Sequence, residues 1–184
     1  MEIEKKFLVK DVPLNLSDYE SYDMVQAYIT NDPVIRIRKR VLCNMPKADN
    51  TNVSNLKAED SFILCYKDKV KSEEKINVNH EIEFPITEDA FNRLLEKKTG
   101  KAIEKTRYLI PLDEKHKIEL DIFHGELEGF KMAEIEFENV EESKDYKVPE
   151  WFLKDLSGDY HFTNSYISQF GIDKCIQVCY NTNL

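Results

Sequence analysis

Glu2, Glu4 and Lys6 occupy alternate positions of Glu2-Ile3-Glu4-Lys5-Lys6-Phe7. On an extended strand alternate residues share a face, so two carboxylates and an ammonium line up in a row. That makes a poor surface and a plausible fragment of a site for a cation and a polyphosphate. The device recurs with changes of sign at Arg36/Arg38, Glu81/Glu83, Lys105/Arg107, Glu119/Asp121 and Glu134/Glu136, with Lys67 closing another apolar run. Same-face neighbours on one strand lie ~7 Å apart. At that distance two like charges repel by roughly 0.6 kcal/mol in water and about 2.4 kcal/mol at an effective dielectric of 20. Any single pair reads as an ordinary solvated strand face. The repeated like-signed pairs argue instead for counter-ions held between them. Carboxylates suit Mg2+ or Mn2+, and Arg and Lys suit phosphate oxygens.

The elements that must carry these pairs follow from alternation and turn chemistry. Strands are expected at 1–9, Met24–Ile29, Val34–Leu42, Ser61–Lys67, His80–Pro85, Ala102–Pro111, Lys117–Phe123 and Lys131–Glu138. They should be mostly antiparallel because their connections are short. Pro13 to Asp23 reads as a polar connection, and Cys43 to Asp60, rich in Asn, Asp, Lys and Ser, as a long loop. Thr87–Lys98 carries Ala90, Phe91, Leu94 and Leu95 at helical spacing, with Thr87 as N-cap and Gly100 just past the end. The tail from about Pro149 is helical in pattern, with Trp151, Phe152 and Leu156 as one apolar set and Tyr166, Ile167 and Phe170 as another before Gly171. About three helices result. Eight strands is the number at which a closed barrel can hold one small ligand. The fold class is therefore α+β and β-rich: a closed eight-stranded antiparallel β-barrel, helices packed outside, charged faces lining a wet lumen.

A length of 184 residues points to a single domain, 1–184, that can bury a core without staples. There is no run of 18 apolar residues and no leader-like start, so neither a membrane span nor export is expected. A net charge of −9 argues against general affinity for nucleic acid or an anionic membrane. A localised positive site inside an acidic protein suits a small polyanion. Cys43, Cys65, Cys175 and Cys179 form neither a disulfide framework nor a zinc pattern. They read as buried or idle thiols of a cytoplasmic protein. His80, His116, His124 and His161 fall on no shared motif and read as surface or supporting residues.

With these residues assembled, the chain resembles the CYTH superfamily, the triphosphate tunnel metalloenzymes. Glu2-x-Glu4-x-Lys6 is similar to that family's opening signature. The series continues through Gln26-Ala27-Tyr28-Ile29, Val34-Ile35-Arg36-Ile37-Arg38, Glu81-Ile82-Glu83, Glu104-Lys105-Thr106-Arg107-Tyr108, Glu119-Leu120-Asp121 and Ala133-Glu134-Ile135-Glu136-Phe137. Leu156-Ser157-Gly158-Asp159, with Asn164 downstream, is similar to the bacterial inorganic triphosphatase branch. The resemblance implies an eight-stranded tunnel that binds a triphosphate with one or two Mg2+ or Mn2+ ions and hydrolyses it. By position, Glu2, Glu4, Asp121, Glu134 and Glu136 would hold metal. Lys6, Arg36, Arg38, Lys67, Lys105 and Arg107 would grip phosphate, and Glu81, Glu83 and Glu119 would support a second metal or orient these basic groups. The general base stays open: Lys6 or Lys105 if the lumen lowers its pKa, or a carboxylate such as Glu83.

The expected substrate is inorganic tripolyphosphate, because no aromatic cluster or Gly-rich loop marks a pocket for an organic head group. The alternatives are thiamine triphosphatase or nucleoside triphosphatase activity, a class IV adenylate cyclase, a non-catalytic polyphosphate or nucleotide binder, and a β-rich interaction domain with a solvated charged face. The expected partner is the small-molecule triphosphate, with no nucleic acid and no membrane; a homodimer is left open.

Overall fold

A computed structural model of the chain describes residues 2–45, 60–69 and 77–181. Nine strands form one antiparallel sheet: β1 (Glu2–Val9), β2 (Glu20–Asn31), β3 (Val34–Asn44), β4 (Ser61–Lys69), β5 (Asn77–Pro85), β6 (Thr99–Pro111), β7 (Lys117–Phe123), β8 (Lys131–Phe137) and β9 (Phe152–Asp155). The order across the sheet is β5-β4-β3-β2-β6-β7-β8-β1-β9. β1 also pairs with β5 at three positions, Glu2↔Asn79, Ile3↔Val78 and Glu4↔Asn77. Four helices accompany the sheet: α1 (Glu88–Leu95), α2 (Val140–Asp145), α3 (Asn164–Phe170) and α4 (Ile172–Asn181). The fold is thus α+β and β-rich, with one strand more than the sequence suggests where a helix was expected, and with α2 and α4 beyond the expected helices.

The added strand and α2 each have a physical cause. The apolar spacing of Trp151, Phe152 and Leu156 suggests a helix, yet Phe152–Asp155 adds to β1 as an edge strand, with the Phe7 and Phe152 rings 4.8 Å apart. Burial of Phe152 against Phe7 outweighs a weak local preference. Of the unexpected helices, α2 is capped at its start: Asn139 accepts from the Glu142 N–H, and the Glu142 carboxylate accepts from the Glu138 N–H. β2 begins at Glu20, four residues before the expected start. The loop expected over 43–60 begins later, since β3 runs to Asn44, and 46–59 lie outside the described residues.

Two apolar clusters lie on strand faces opposite the charged ones and are covered from outside, while a third shares the face of Lys105, Asp121 and Glu134. Ile3, Phe7, Ile118, Leu120, Ile135 and Phe137 form one cluster with Trp151 and Phe152. Ala27, Ile37 and Phe91 form another with Leu94 and Leu95 of α1. A third, with Ile103, Phe123, Met132, Leu156, Phe162 and Ile167, joins β6, β7 and β8 to α3. Gly100 allows that last contact: a Cβ there would lie 2.6 Å from the Ser168 carbonyl oxygen, and its φ of +73° suits glycine. Burying one strand face so thoroughly leaves the other to line a cavity.

Candidate active site

The cavity has a volume of about 740 Å³ and is lined by charged side chains from β1 and from β3 to β8, with Tyr22, Met24, Gln26 and Tyr28 contributed by β2. Register brings the charges together. Across β1 and β8, Lys6 stands opposite Glu134 and Glu4 opposite Glu136. Across β7 and β8, Glu119 faces Glu134; across β6 and β7, Arg107 faces Asp121. On the far wall Lys67 lies between Val34 and Glu81, and Arg36 next to Cys65. A one-residue slip in any of these pairings would put the whole set outside.

Two ion-pair groups result. In the first, Lys6 Nζ lies 2.8 Å from Glu134 and 3.8 Å from Glu4. Arg107 grips Asp121 with two parallel bonds of 2.6 and 2.7 Å, reaches Glu134 at 2.8 Å and pairs with Glu119. Lys105 pairs with the same Asp121, which is wholly buried. In the second, Glu81 takes Arg36 and, at 3.2 Å, Lys67, while Glu83 takes Arg38 at 2.8 Å and Arg36 at 3.7 Å. Charges this deep are tolerated because each has a partner within reach.

The two candidate lysines differ sharply. Burial and the Arg107 charge push Lys105 down to about 8, against the pull of Asp121 and Glu134. Burial acts the same way on Lys6, but Glu134 and Glu4 outweigh it and raise its pKa. Burial likewise opposes ionisation of Glu134, yet Lys6, Arg107 and Lys105 hold it well below the usual carboxylate range. Lys105 is therefore the lysine that approaches a neutral amine near physiological pH.

Glu136 stands apart. Among the described residues it makes no ion pair, and burial together with Glu119, Glu4 and Glu134 raises its pKa, against Lys117. Two carboxylates opposed at Glu4 and Glu136 destabilise a bare sheet. An all-oxygen set with one unclaimed carboxylate suits a hard divalent cation such as Mg2+ or Mn2+. Asp121, also expected among the ligands, has both oxygens on Lys105 and Arg107. The position of Glu2 on β1 is described, but its side chain is not. Cys65 Sγ, Glu81 and Glu83 also bring ligand atoms within 4.8 Å of one another. However, burial holds the thiol protonated up to about 12 while it donates to Glu81, and Arg36, Arg38 and Lys67 occupy the carboxylates. That trio orients cations.

Some lining residues have no assigned role in the sequence reading, although Gln26 and Tyr28 fall in a segment that carries the resemblance. Gln26 Nε2 donates to the Tyr28 hydroxyl at 2.6 Å, inside the cavity. A buried amide on an otherwise apolar strand was the available signal. Arg40 extends the Arg36/Arg38 series by one step. At another part of the wall Tyr160 joins Asn31, Thr163, Asn164 and Ser165, backed by Tyr166 and His161 at ring distances of 5.3 and 6.3 Å. The absence of an aromatic cluster, read from the sequence, is thereby corrected: folding gathers one from 160–166. His116 is not a surface residue: it is 8% exposed, with Nδ1 2.9 Å from Asp113 and Nε2 3.3 Å from Glu142. It ties the β6–β7 turn to α2.

Among known proteins, the chain is 32% identical over 170 residues to an inorganic triphosphatase of Acetivibrio thermocellus, covering 89% of this chain and 90% of that one. It is 27% identical over 163 residues to an inorganic triphosphatase of Nitrosomonas europaea, covering 89% and 93%. A crystal structure of an inorganic triphosphatase superposes with a TM-score of 0.58 at 27% identity, over 91% of this chain and 94% of the other. No protein-family model matches the chain. No helix among the described residues is long and apolar enough to cross a membrane.

Proposed function

The chain belongs to the inorganic triphosphatase family, and from that premise we propose that it hydrolyses inorganic tripolyphosphate, with a divalent metal, inside the charged cavity. Triphosphate hydrolysis follows from the family. The substrate and the metal are our reading, carried by one observation. Five cations (Arg36, Arg38, Lys67, Lys105 and Arg107) and the carboxylates Glu4, Glu134 and Glu136 line a single cavity. We further infer that the sheet wraps into a tunnel around it; the β1–β5 pairing supports that reading.

Phosphoryl transfer needs mostly positioning and neutralisation of charge. Arg36, Arg38 and Lys67 bind the phosphate chain, exchanging carboxylate oxygens of Glu81 and Glu83 for phosphate oxygens. Arginine suits this role because its planar fork takes two oxygens and stays charged. Mg2+ or Mn2+, one or two ions held by Glu4, Glu134 and Glu136, would neutralise developing charge on the phosphate oxygens. Arg107, fixed by Asp121, Glu119 and Glu134, orients the chain from the other wall. Lys105 accepts the proton of the attacking water, since a group near pKa 8 is partly neutral at working pH. Lys6 remains an ammonium and binds phosphate. Glu83, paired to Arg38 and Arg36, serves the cations and not the water.

A second reading is an organic triphosphate, favoured by Tyr160 and by the Asn31 and Asn164 amide oxygens, which no donor reaches among the described residues. The discriminating assay is phosphate release from tripolyphosphate, ATP and thiamine triphosphate with Mg2+, Mn2+ or EDTA. Metal-dependent kcat/KM for tripolyphosphate at or above the other two is the expected result. A clear preference for an organic triphosphate selects the second reading, and release that survives EDTA removes the metal.

A further inference from the structure

Cys65 of β4 stands in register with Arg36 of β3 on one side and Glu83 of β5 on the other. Alternation puts it on the face of Lys67, yet it is 1% exposed and sits behind the side chains that line the cavity. Its Sγ donates to Glu81 Oε1 at 2.9 Å. The same Oε1 takes Arg36, and Oε2 takes Lys67 at 3.2 Å. Glu81 therefore meets two kinds of partner. Arg36 and Lys67 are cations that phosphate oxygens attract. The thiol is neutral: burial, against the Arg36 charge, pushes its pKa up to about 12, so it stays a donor.

We propose that Cys65 is a positioning residue for triphosphate binding, whose thiol keeps hold of Glu81 when phosphate draws Arg36 and Lys67 off that carboxylate. The inference rests on the triphosphatase reading of the same cavity and concerns how the far wall gives up its ion pairs. Register explains why the thiol reaches Glu81 at all. Lys67 lies opposite Glu81, and Cys65 is its diagonal neighbour across β4 and β5. The thiol thus draws the Glu81 carboxylate along the wall toward Arg36, the partner of Cys65 on β3, and one carboxylate serves both cations. A phosphate chain does not attract a neutral thiol behind the wall, so the Cys65–Glu81 bond survives the exchange. Its weight falls on the bound state. In the free protein Glu81 has Arg36 and Lys67, and losing the thiol bond costs little. With substrate in place those cations serve phosphate, and a buried carboxylate short of donors is unfavourable. Removing the thiol should therefore weaken binding and leave the chemical step alone.

The test is kcat and KM for tripolyphosphate in wild type, Cys65→Ala and Cys65→Ser, alone and combined with Glu81→Gln, with melting curves as a check of folding. Cys65→Ala should raise KM about tenfold and leave kcat within about twofold of wild type. Cys65→Ser keeps a donor, and its KM should stay within about threefold of wild type. In a Glu81→Gln background Cys65→Ala should shift KM by less than about twofold, because the charge it acts through is gone. The S–H stretch, assigned by its loss in Cys65→Ser, should move to lower frequency when tripolyphosphate saturates the protein in EDTA, as Oε1 gives up Arg36 and leans on the thiol. A KM within about twofold of wild type in folded Cys65→Ala, or equal KM shifts with and without Glu81→Gln, overturns the proposal and shows a packing role only. Should Cys65→Ala not fold, an S–H band unmoved by saturating tripolyphosphate overturns it. A wild type that cleaves no tripolyphosphate overturns the triphosphatase reading and this proposal with it.

Discussion

Replacing Lys105 tests the mechanism most directly, because its environment sets both the size and the pH dependence of the effect. Its pKa is lowered from 10.5 to about 8, first by burial and then by Arg107. With that value about one molecule in ten carries a neutral amine at pH 7 and about nine in ten at pH 9. If the neutral amine takes the proton from water, kcat/KM for tripolyphosphate should climb about tenfold between those limits and then level off. Lys105→Arg keeps the positive charge beside Asp121 but cannot deprotonate. Lys105→Met removes the charge while Arg107 still holds both Asp121 oxygens, so the fold should survive. Both variants should lose about 100-fold or more in kcat, the usual scale for a general base, and with it the alkaline limb of the profile. The measurement is a pH series from 6 to 10 at saturating metal. A wild-type profile flat from pH 7 to 9, or a Lys105→Arg variant retaining both a tenth of the rate and the limb, would refute the assignment.

Glu4→Gln and Glu136→Gln each remove one ligand charge at constant size. Activity should drop by at least 3 kcal/mol, roughly 150-fold, while the melting temperature holds or rises because opposed like charges are relieved; near-wild-type turnover in both would take these residues off the metal. Metal affinity should depend on pH through Glu136. Its folded pKa is raised, so protons compete with metal at a higher pH than for an ordinary glutamate, and Mn2+ binding should weaken as pH falls through that raised value. Calorimetry showing unchanged affinity down to pH 4.5 would contradict this. Arg38→Ala should weaken tripolyphosphate, ATP and thiamine triphosphate by similar factors, since it contacts the chain common to all; a loss confined to one of them would place Arg38 elsewhere.

Much of the site is legible because the period of a strand is two. Once Glu4, Lys6, Arg36, Arg38, Glu81 and Glu134 are assigned to strands, alternation alone puts each on one face. What alternation leaves open is register. Nothing local says that Lys6 meets Glu134, or that Asp121 is claimed by two cations and so drops behind the wall. Arg40 shares the face of Arg36 and Arg38, but that Glu81 and Glu83 of β5 pair with those two and not with it depends on register. The early start of β2 was hidden for a related reason. Glu20, Ser21 and Asp23 read as a connection by polarity, yet they pair with Leu109, Tyr108 and Thr106 of β6, and Asp23 accepts a hydrogen bond from the Thr106 hydroxyl. The Tyr160 wall was hidden because its members are contiguous and look like a turn until α3 brings them to the cavity.

The ion pairs also bear on why a site of this charge density can fold at all. Glu81 and Glu83 pair with Arg36 and Arg38 where phosphate oxygens would, and Glu134 bonds Lys6 and Arg107, whose fork is on Asp121. The array is therefore built against stand-ins, with guanidinium geometry fixed before substrate arrives. The cost is that binding must displace carboxylates that are already well placed, so a monoanion gains little by exchange. A polyanion meets several cations at once and replaces several carboxylates in one event. Selectivity for polyphosphate over orthophosphate should thus arise from the pairing itself. Glu81→Gln, which weakens the stand-in at Arg36 and Lys67, should tighten orthophosphate inhibition more than it changes KM for tripolyphosphate. Product-inhibition kinetics measure both, and an unchanged inhibition constant beside an altered KM would show that Glu81 orients the cations without competing for them.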